Sequence, residues 1–171
     1  MLVFDLETDG LLNDVTRIHC LVIYDSETDE TYLFNDEGTE EPIVRGLQLL
    51  EEADLICGHN VISYDIPVIE KIYPWFTCKA LVVDTLLLSR LYHADMIEVD
   101  KRLDNSRMPL QLRGRHSLES YGYRLGEYKG GFGKTTDWKE WSQDMQDYCT
   151  QDVKVTTKLC EHFHPYLSGS R

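Results

Sequence analysis

The apolar pattern of this chain changes character near residue 42, and that change restricts the fold more than any other feature. Before it, three runs read as strands: Leu2 to Phe4, closed by Asp5; Ile18 to Tyr24, rich in β-branched residues; and Thr31 to Phe34. The second and third are joined by the turn-like Asp25-Ser26-Glu27-Thr28-Asp29. Connections this short favour antiparallel pairing of all three. After residue 42, helix and strand alternate. Pro42 suits the first position of a helix with an apolar stripe of Ile43, Val44, Leu47, Leu49 and Leu50. A strand at Leu55 to Cys57, a helix at Ile66 to Ile72, a strand at Leu81 to Val83 and a helix at Thr85 to Leu91 follow. A meander followed by βαβ units predicts an α/β fold with a central mixed five-stranded sheet flanked by helices.

The rest of the chain is less regular. Asp95 to Arg115, with Pro109 and Gly114, predicts an exposed loop or a broken helix, and Ser117 to Tyr123 a helix. Gly126 to Gly133 contains four glycines and is the best candidate for a mobile segment. Asp137 is placed to N-cap a helix that starts at Trp138 and runs to about His162, with a break near Tyr148 to Gln151 left open. No repeat or linker-like block divides the chain, so residues 1–171 read as a single domain, and 42% hydrophobic residues suffice for one core. No run of about 18 apolar residues and no cleavable leader is visible, which predicts a soluble, cytoplasmic protein without a membrane partner.

The five cysteines, Cys20, Cys57, Cys78, Cys149 and Cys160, are odd in number, scattered and free of any C-x-x-C pair. That predicts reduced, mostly buried thiols and neither a disulfide framework nor a zinc site. His162-x-His164 lies where fraying is expected and reads as incidental. The net charge of −13 is the wrong sign for gripping a polyphosphate through a general basic surface. The charge is unevenly placed, however. Residues 1–100 carry 5 Lys and Arg against 21 Asp and Glu, whereas residues 101–139 carry 9 against 4. The basic stretch reads either as a local phosphate contact or as a solvated loop.

Three groups of residues carry chemistry. Asp5-Leu6-Glu7 places two carboxylates at i and i+2 of a strand, on one face, where a cation between them relieves their repulsion. Asp65, in the run His59-Asn60-Val61-Ile62-Ser63-Tyr64-Asp65, follows a strand and opens a helix. It is placed either as a ligand at the carboxyl end of a sheet or as a simple helix cap. Tyr148 and Asp152 are four apart on a helix and share a face. Four carboxylates from three segments suit hard divalent cations, Mg²⁺ or Mn²⁺. Two such ions about 3.5–4 Å apart can activate water and stabilise the leaving oxygen of phosphodiester hydrolysis. Asp84 reads as a cap for the helix after it.

The order Asp-x-Glu, Asn-x-x-x-Tyr-Asp, Tyr-x-x-x-Asp resembles the tyrosine-containing branch of the DEDD 3′-to-5′ exonucleases, which have a ribonuclease H-like fold. Val83 to Leu91 and His116 to Lys129 extend the likeness to the proofreading domain of family A polymerases from short-tailed phages of the T-seven type. The resemblance implies that Asp5 bridges two metal ions, that Glu7 and Asp152 complete one site, and that Asp65 supports the other through water. Tyr148 would orient the attacking water, since a pKa of about 10 makes tyrosine a poor base at neutral pH. Thr8, Leu11, Asn60 and Tyr64 would touch the terminal nucleotide, with Leu11 either a wedge against its base or a core residue, and Asn60 and Tyr64 equally readable as turn and packing residues. Arg113, Arg115, Arg124 and Lys129 are the candidates for holding the strand.

The function so implied is proofreading-type release of nucleoside 5′-monophosphates from single-stranded or frayed DNA 3′ ends, in an infected bacterial cytoplasm if the origin is a phage. A phage replication polymerase is the implied partner; oligomeric state is not legible. The alternatives are an exoribonuclease of the oligoribonuclease or RNase D kind, a structure-specific endonuclease, and an inactive nucleic-acid-binding module.

Overall fold

The computed structural model describes residues 1–103, 107–128 and 137–170. The first three strands are β1 (Leu2–Thr8), β2 (Ile18–Asp25) and β3 (Glu30–Asn35). Helix α1 (Ile43–Glu52) leads into β4 (Leu55–Gly58), and α2 (Asp65–Ile72) into β5 (Leu81–Asp84). The remaining helices are α3 (Thr85–Tyr92), α4 (Met96–Arg102), α5 (Leu118–Arg124) and α6 (Gln143–Leu167). The five-stranded sheet has the order β3-β2-β1-β4-β5, antiparallel across β1, β2 and β3 and parallel across β1, β4 and β5. The expected mixed sheet is therefore present, with β1 at its centre.

Alternation along β1 sorts its side chains between two packed layers. Phe4 and Leu6 join Leu21, Ile23 and Phe34 under α1 and α2, in a core with Leu47, Leu50 and Ile69. Val3 faces the other way, with Cys20, Val22 and Cys57, against Met145, Cys149 and Val153 of α6. By the same alternation Asp5 and Glu7 belong to the α6 side. On α1 the buried residues are Ile43, Gly46, Leu47 and Leu50, while Val44 and Leu49 are exposed, so the real stripe is narrower than its sequence pattern. Gly46 is needed there: a Cβ would come within 2.6 Å of Leu21 and 2.7 Å of Phe34.

Several elements differ from their sequence signals. Helix α6 starts five residues later than Asp137 and Trp138 suggest. Ser142 is its cap, accepting the Met145 amide, while Asp137 accepts the Lys139 amide in a local turn and the Trp138 carbonyl is bound to His19 Nε2. The helix is continuous through Tyr148–Gln151 and carries Pro165 within it. His162 lies well inside it, with Nε2 2.7 Å from His93 Nε2, so the expected fraying is absent there. Between Asp95 and Arg115 the second of the two expectations, a broken helix, is what the described residues show: α4, capped by Asp95, and then a 3-10 turn at Leu110–Leu112. The segment expected to be mobile lies mostly outside the described residues.

The expectation of five reduced thiols also fails. Cys57 on β4 and Cys160 on α6 form a disulfide across 103 residues of sequence, leaving Cys20, Cys78 and Cys149 free. Both partners point into the layer between sheet and α6, a meeting set by topology and invisible to spacing. Alkylation of the denatured, unreduced protein is expected to label three cysteines by mass spectrometry, and five after reduction; five in both samples would contradict the bridge.

Arg124 is not free to hold a nucleic acid. Its guanidinium makes two bonds to Asp100, of 2.7 and 2.8 Å, and a third to the Arg115 carbonyl, and it lies over the Tyr121 ring. The two side chains are 4% and 3% exposed, and Asp100 also accepts the Gly114 amide. Burial pushes the Asp100 carboxyl up, but hydrogen bonds from Arg124 and Gly114 and the Arg124 charge outweigh it and hold it below its ordinary value. A depressed carboxyl stabilises the fold above its unfolded pKa of about 3.9, and that share is lost as pH falls through the folded value. Asp100→Ala, which strands a buried guanidinium, is expected to cost about 3–5 kcal/mol in denaturant melts at neutral pH, with the difference from wild type shrinking below pH 4.

Candidate active site

The carboxyl end of β1 is where the chain brings its acidic groups together. Strand β1 meets β2 through Glu7 opposite Cys20, and the register then slips between Glu7 and Thr8. Such a bulge bends the strand and redirects its last residues. Asp5 and Glu7 project toward α6, and one ligand atom from each of Asp5, Glu7 and Cys149 lies within 4.8 Å of the others. Glu7 is buried at 9% exposure. Two carboxylates this close in a shielded place repel strongly unless a cation or proton lies between them.

Asp65 adds to that field. It is the first residue of α2, and the cap position belongs to Tyr64, which makes no side-chain capping bond. The simple capping role is thus not what the fold uses Asp65 for. Its side chain is 3% exposed. Burial first, and then the charge of Asp5, drive its carboxyl well above the ordinary range, against hydrogen bonds from its own amide and that of Leu6. A divalent ion bound here would supply positive charge to offset this arrangement.

The turn that delivers Asp65 is built tightly. Gly58 ends β4 where a Cβ would approach Val61 to 2.0 Å and the Phe4 carbonyl to 3.2 Å. Asn60 follows with φ of +66°, a conformation that asparagine tolerates better than most residues. Asp84 holds this turn by accepting the Asn60 and Ile62 amides, besides capping α3 through the Leu86 amide. The capping role expected of Asp84 is present, and its second role joins β5 to the turn before Asp65.

From α6, Asp152 is buried at 6% exposure and Tyr148 is half-buried one turn before it. Between them, the Cys149 thiol donates to the Asp5 carbonyl at 3.3 Å and to Asp5 Oδ2 at 3.7 Å. Burial, then the Cys20 thiol and the charges of Asp5 and Glu7, push Cys149 far up, so it stays a neutral donor.

A cavity of about 450 Å³ adjoins the carboxylates, lined by Leu6 to Leu11, Tyr64 and Trp138. The Tyr64 hydroxyl bonds Thr8 Oγ1 and donates to the Gly10 carbonyl at 2.6 Å, so Thr8 and Tyr64 shape the wall together. Leu11 is 76% exposed, which excludes the core role and places an apolar side chain at the rim. A second cleft, of about 540 Å³, is lined by Asn60, Arg90, Arg115 and His116 among others. Arg115 bonds the Gln111 carbonyl through Nε, and Arg113 is exposed. Lys129 lies outside the described residues. Sequence patterns did not single out Cys149, Trp138 or Arg90. A lone cysteine, an aromatic in a turn and an arginine on a helix carry no spacing signal of their own.

Comparison with known proteins agrees with this fold. The DNA-directed DNA polymerase of Escherichia phage T7 is 34% identical over 94% of this chain, and that of Enterobacteria phage T3 is 33% identical over the same share. The chain spans 26% of each, about a quarter of their length. Among solved structures, Brucella melitensis NrnC superposes with a TM-score of 0.65 at 18% identity, covering 99% of this chain and 74% of that one. The E. coli exonuclease I complex with single-stranded DNA gives 0.57 at 19%, covering 99% and 42%. These structural likenesses are of fold. Among the described residues, no helix is long and apolar enough to cross a membrane. The RNase H superfamily profile matches residues 2–164, nearly the full length, and this chain belongs to that superfamily.

Proposed function

We propose that the chain is a metal-dependent 3′-to-5′ exonuclease that removes nucleoside 5′-monophosphates from single-stranded or frayed DNA ends. The observation that carries this reading is the meeting of Asp5 and Glu7 on β1 with a buried Asp65 on α2, beside a nucleotide-sized cavity. The likeness to two phage DNA polymerases over nearly the whole chain supports DNA as substrate and proofreading as context. A replication polymerase in an infected bacterial cytoplasm is the partner this implies.

In this reading, Asp5, Glu7, Asp65 and Asp152 hold two divalent ions, Mg²⁺ or Mn²⁺. All four offer carboxylate oxygens, the ligand type these ions prefer. Bound there, the ions would lower the pKa of a water and stabilise charge on the leaving 3′ oxygen. Tyr148, half-buried on the same helix face as Asp152, orients the attacking water rather than deprotonating it. Thr8 and Tyr64 are fixed to each other and to Gly10, and so present a preformed wall to the terminal nucleotide. Leu11 at the rim is placed to press on its base, and Trp138 closes the cavity with an aromatic surface. Asn60 and Arg115 line the second cleft, where the preceding phosphates would lie, and Arg113 is exposed two residues before Arg115 in the chain.

Mass spectrometry of the products from matched DNA and RNA oligomers, with Mn²⁺ or with chelator, tests the reading. It expects a DNA ladder shortened from the 3′ end, mononucleotide 5′-phosphates and no products under chelation. A ladder shortened from the 5′ end, cleavage of circular single strands, or faster digestion of RNA would each contradict it. Asp5→Ala and Asp152→Ala are expected to lower the rate by at least about 100-fold, the cost of even a 1 Å misplacement near the chemistry, with Tyr148→Phe losing less. Arg115→Ala is expected to raise KM for single strands and to reduce the slope of log affinity against log salt by about 0.7, one phosphate contact. An unchanged slope would remove Arg115 from the strand path.

A further inference from the structure

We propose that Cys149 is a positioning residue for Asp5, orienting the carboxylate by which the site would hold its cations. The inference rests on the reading of Asp5 as a metal ligand. Its basis is geometric. The Cys149 Sγ lies 3.3 Å from the Asp5 carbonyl oxygen and 3.7 Å from Asp5 Oδ2, and its single S–H is shared between the two acceptors. The contact joins α6 to the centre of the sheet across 144 residues of sequence. Cys149 is fully buried, in the layer that also holds Cys20, Val22, Met145 and Val153.

The chemistry of the thiol suits this task. A carboxylate has about four acceptor positions on its two oxygens, and one S–H occupies a single one while leaving the others open to cations. The same S–H reaches the Asp5 main-chain carbonyl, so it fixes the side chain relative to its own strand. Partners of metal ligands act in this way, setting orientation and basicity without touching the ion. The alternative is that sulfur is itself a ligand, since it falls within 4.8 Å of the Asp5 and Glu7 oxygens. Hard Mg²⁺ and Mn²⁺ prefer oxygen, and a thiol that donates to the carboxylate is not offering its lone pair as a thiolate would.

The position on α6 gives the contact its consequence. Cys149 immediately follows Tyr148 and precedes Asp152 by less than a turn. The bond therefore ties the strand that carries Asp5 to the helix that carries the other two groups.

Mn²⁺ binding measured by calorimetry without nucleic acid, on wild type, Cys149→Ser, Cys149→Ala and Asp5→Ala, tests the proposal. Cys149→Ala is expected to weaken Mn²⁺ binding about 10-fold, the low end for such partners because a thiol is a weak donor. Cys149→Ser retains a donor and is expected to stay within about 2-fold of wild type. At saturating Mn²⁺, Cys149→Ala should recover most of its kcat with KM for DNA unchanged. Wild-type affinity in Cys149→Ala, or a loss in Cys149→Ser equal to that in Cys149→Ala, would overturn the positioning role. Wild-type affinity in Asp5→Ala would instead overturn the metal reading beneath it.

Discussion

Carboxylates held close together out of water are the constraint around which this fold is organised. Asp65 and Asp152 are 3% and 6% exposed and Glu7 9%. Each would be better solvated on the surface, so their burial is a standing cost that the remaining packing must offset. The sheet does this by placing β1 at the centre, with a hydrophobic layer on each face. One layer holds α1 and α2 against Phe4 and Leu6; the other holds α6 against Val3, Cys20 and Val22. The acidic groups occupy the end of that sandwich, where the strand bulges after Glu7. The carboxyl of Asp65, pushed up by burial and then by Asp5, carries part of that cost.

For the proposed function, the same constraint would reconcile a net charge of −13 with a polyanionic substrate. An acidic centre repels phosphate unless cations stand between them, so in the proposed function the ions would serve the substrate as well as the protein. Basic side chains would then be needed only where a bound strand leaves the site. Of the arginines in the basic stretch, Arg124 is consumed internally by Asp100, which also binds the Gly114 amide. That pair anchors the segment carrying Arg115 to α4, and Arg115 in turn lines the cleft that contains Asn60. The buried arginine thus contributes by placing its neighbour.

What could be read from the sequence divides along physical lines. Period-2 and helical patterns are local, and they located all five strands and most helices, together with the pairs Asp5 with Glu7 and Tyr148 with Asp152. Features that depend on distant partners were hidden. The Cys57–Cys160 bridge joins residues 103 apart, and Arg124 finds Asp100 in a segment whose sequence allowed either a loop or a broken helix. The start of α6 was misplaced because Asp137 satisfies a cap signal as well as Ser142 does. Only the contact of the Trp138 carbonyl with His19, 119 residues away, shows why residue 138 is not helical. Asp65 was ambiguous for a similar reason, since a carboxylate at the start of a helix looks alike whether it caps or faces inward.

The continuity of α6 matters more to the site than its length suggests. The helix spans 25 residues, about 37 Å at 1.5 Å per residue, and Tyr148, Cys149 and Asp152 all lie in its first half. A break near Tyr148 would let the Tyr148 hydroxyl and the Asp152 carboxylate move separately. An unbroken helix moves them as one, and it is held to the sheet by Met145, Cys149 and Val153 packing on Val3, Cys20 and Val22. Asp65 comes from the opposite layer and is set by a different support, the turn that Asp84 binds. The site is therefore assembled from two independently braced halves that meet at β1. Small displacements of either half alter the spacing of the carboxylates, and catalysis that needs alignment to within about 1 Å depends on the strand they share.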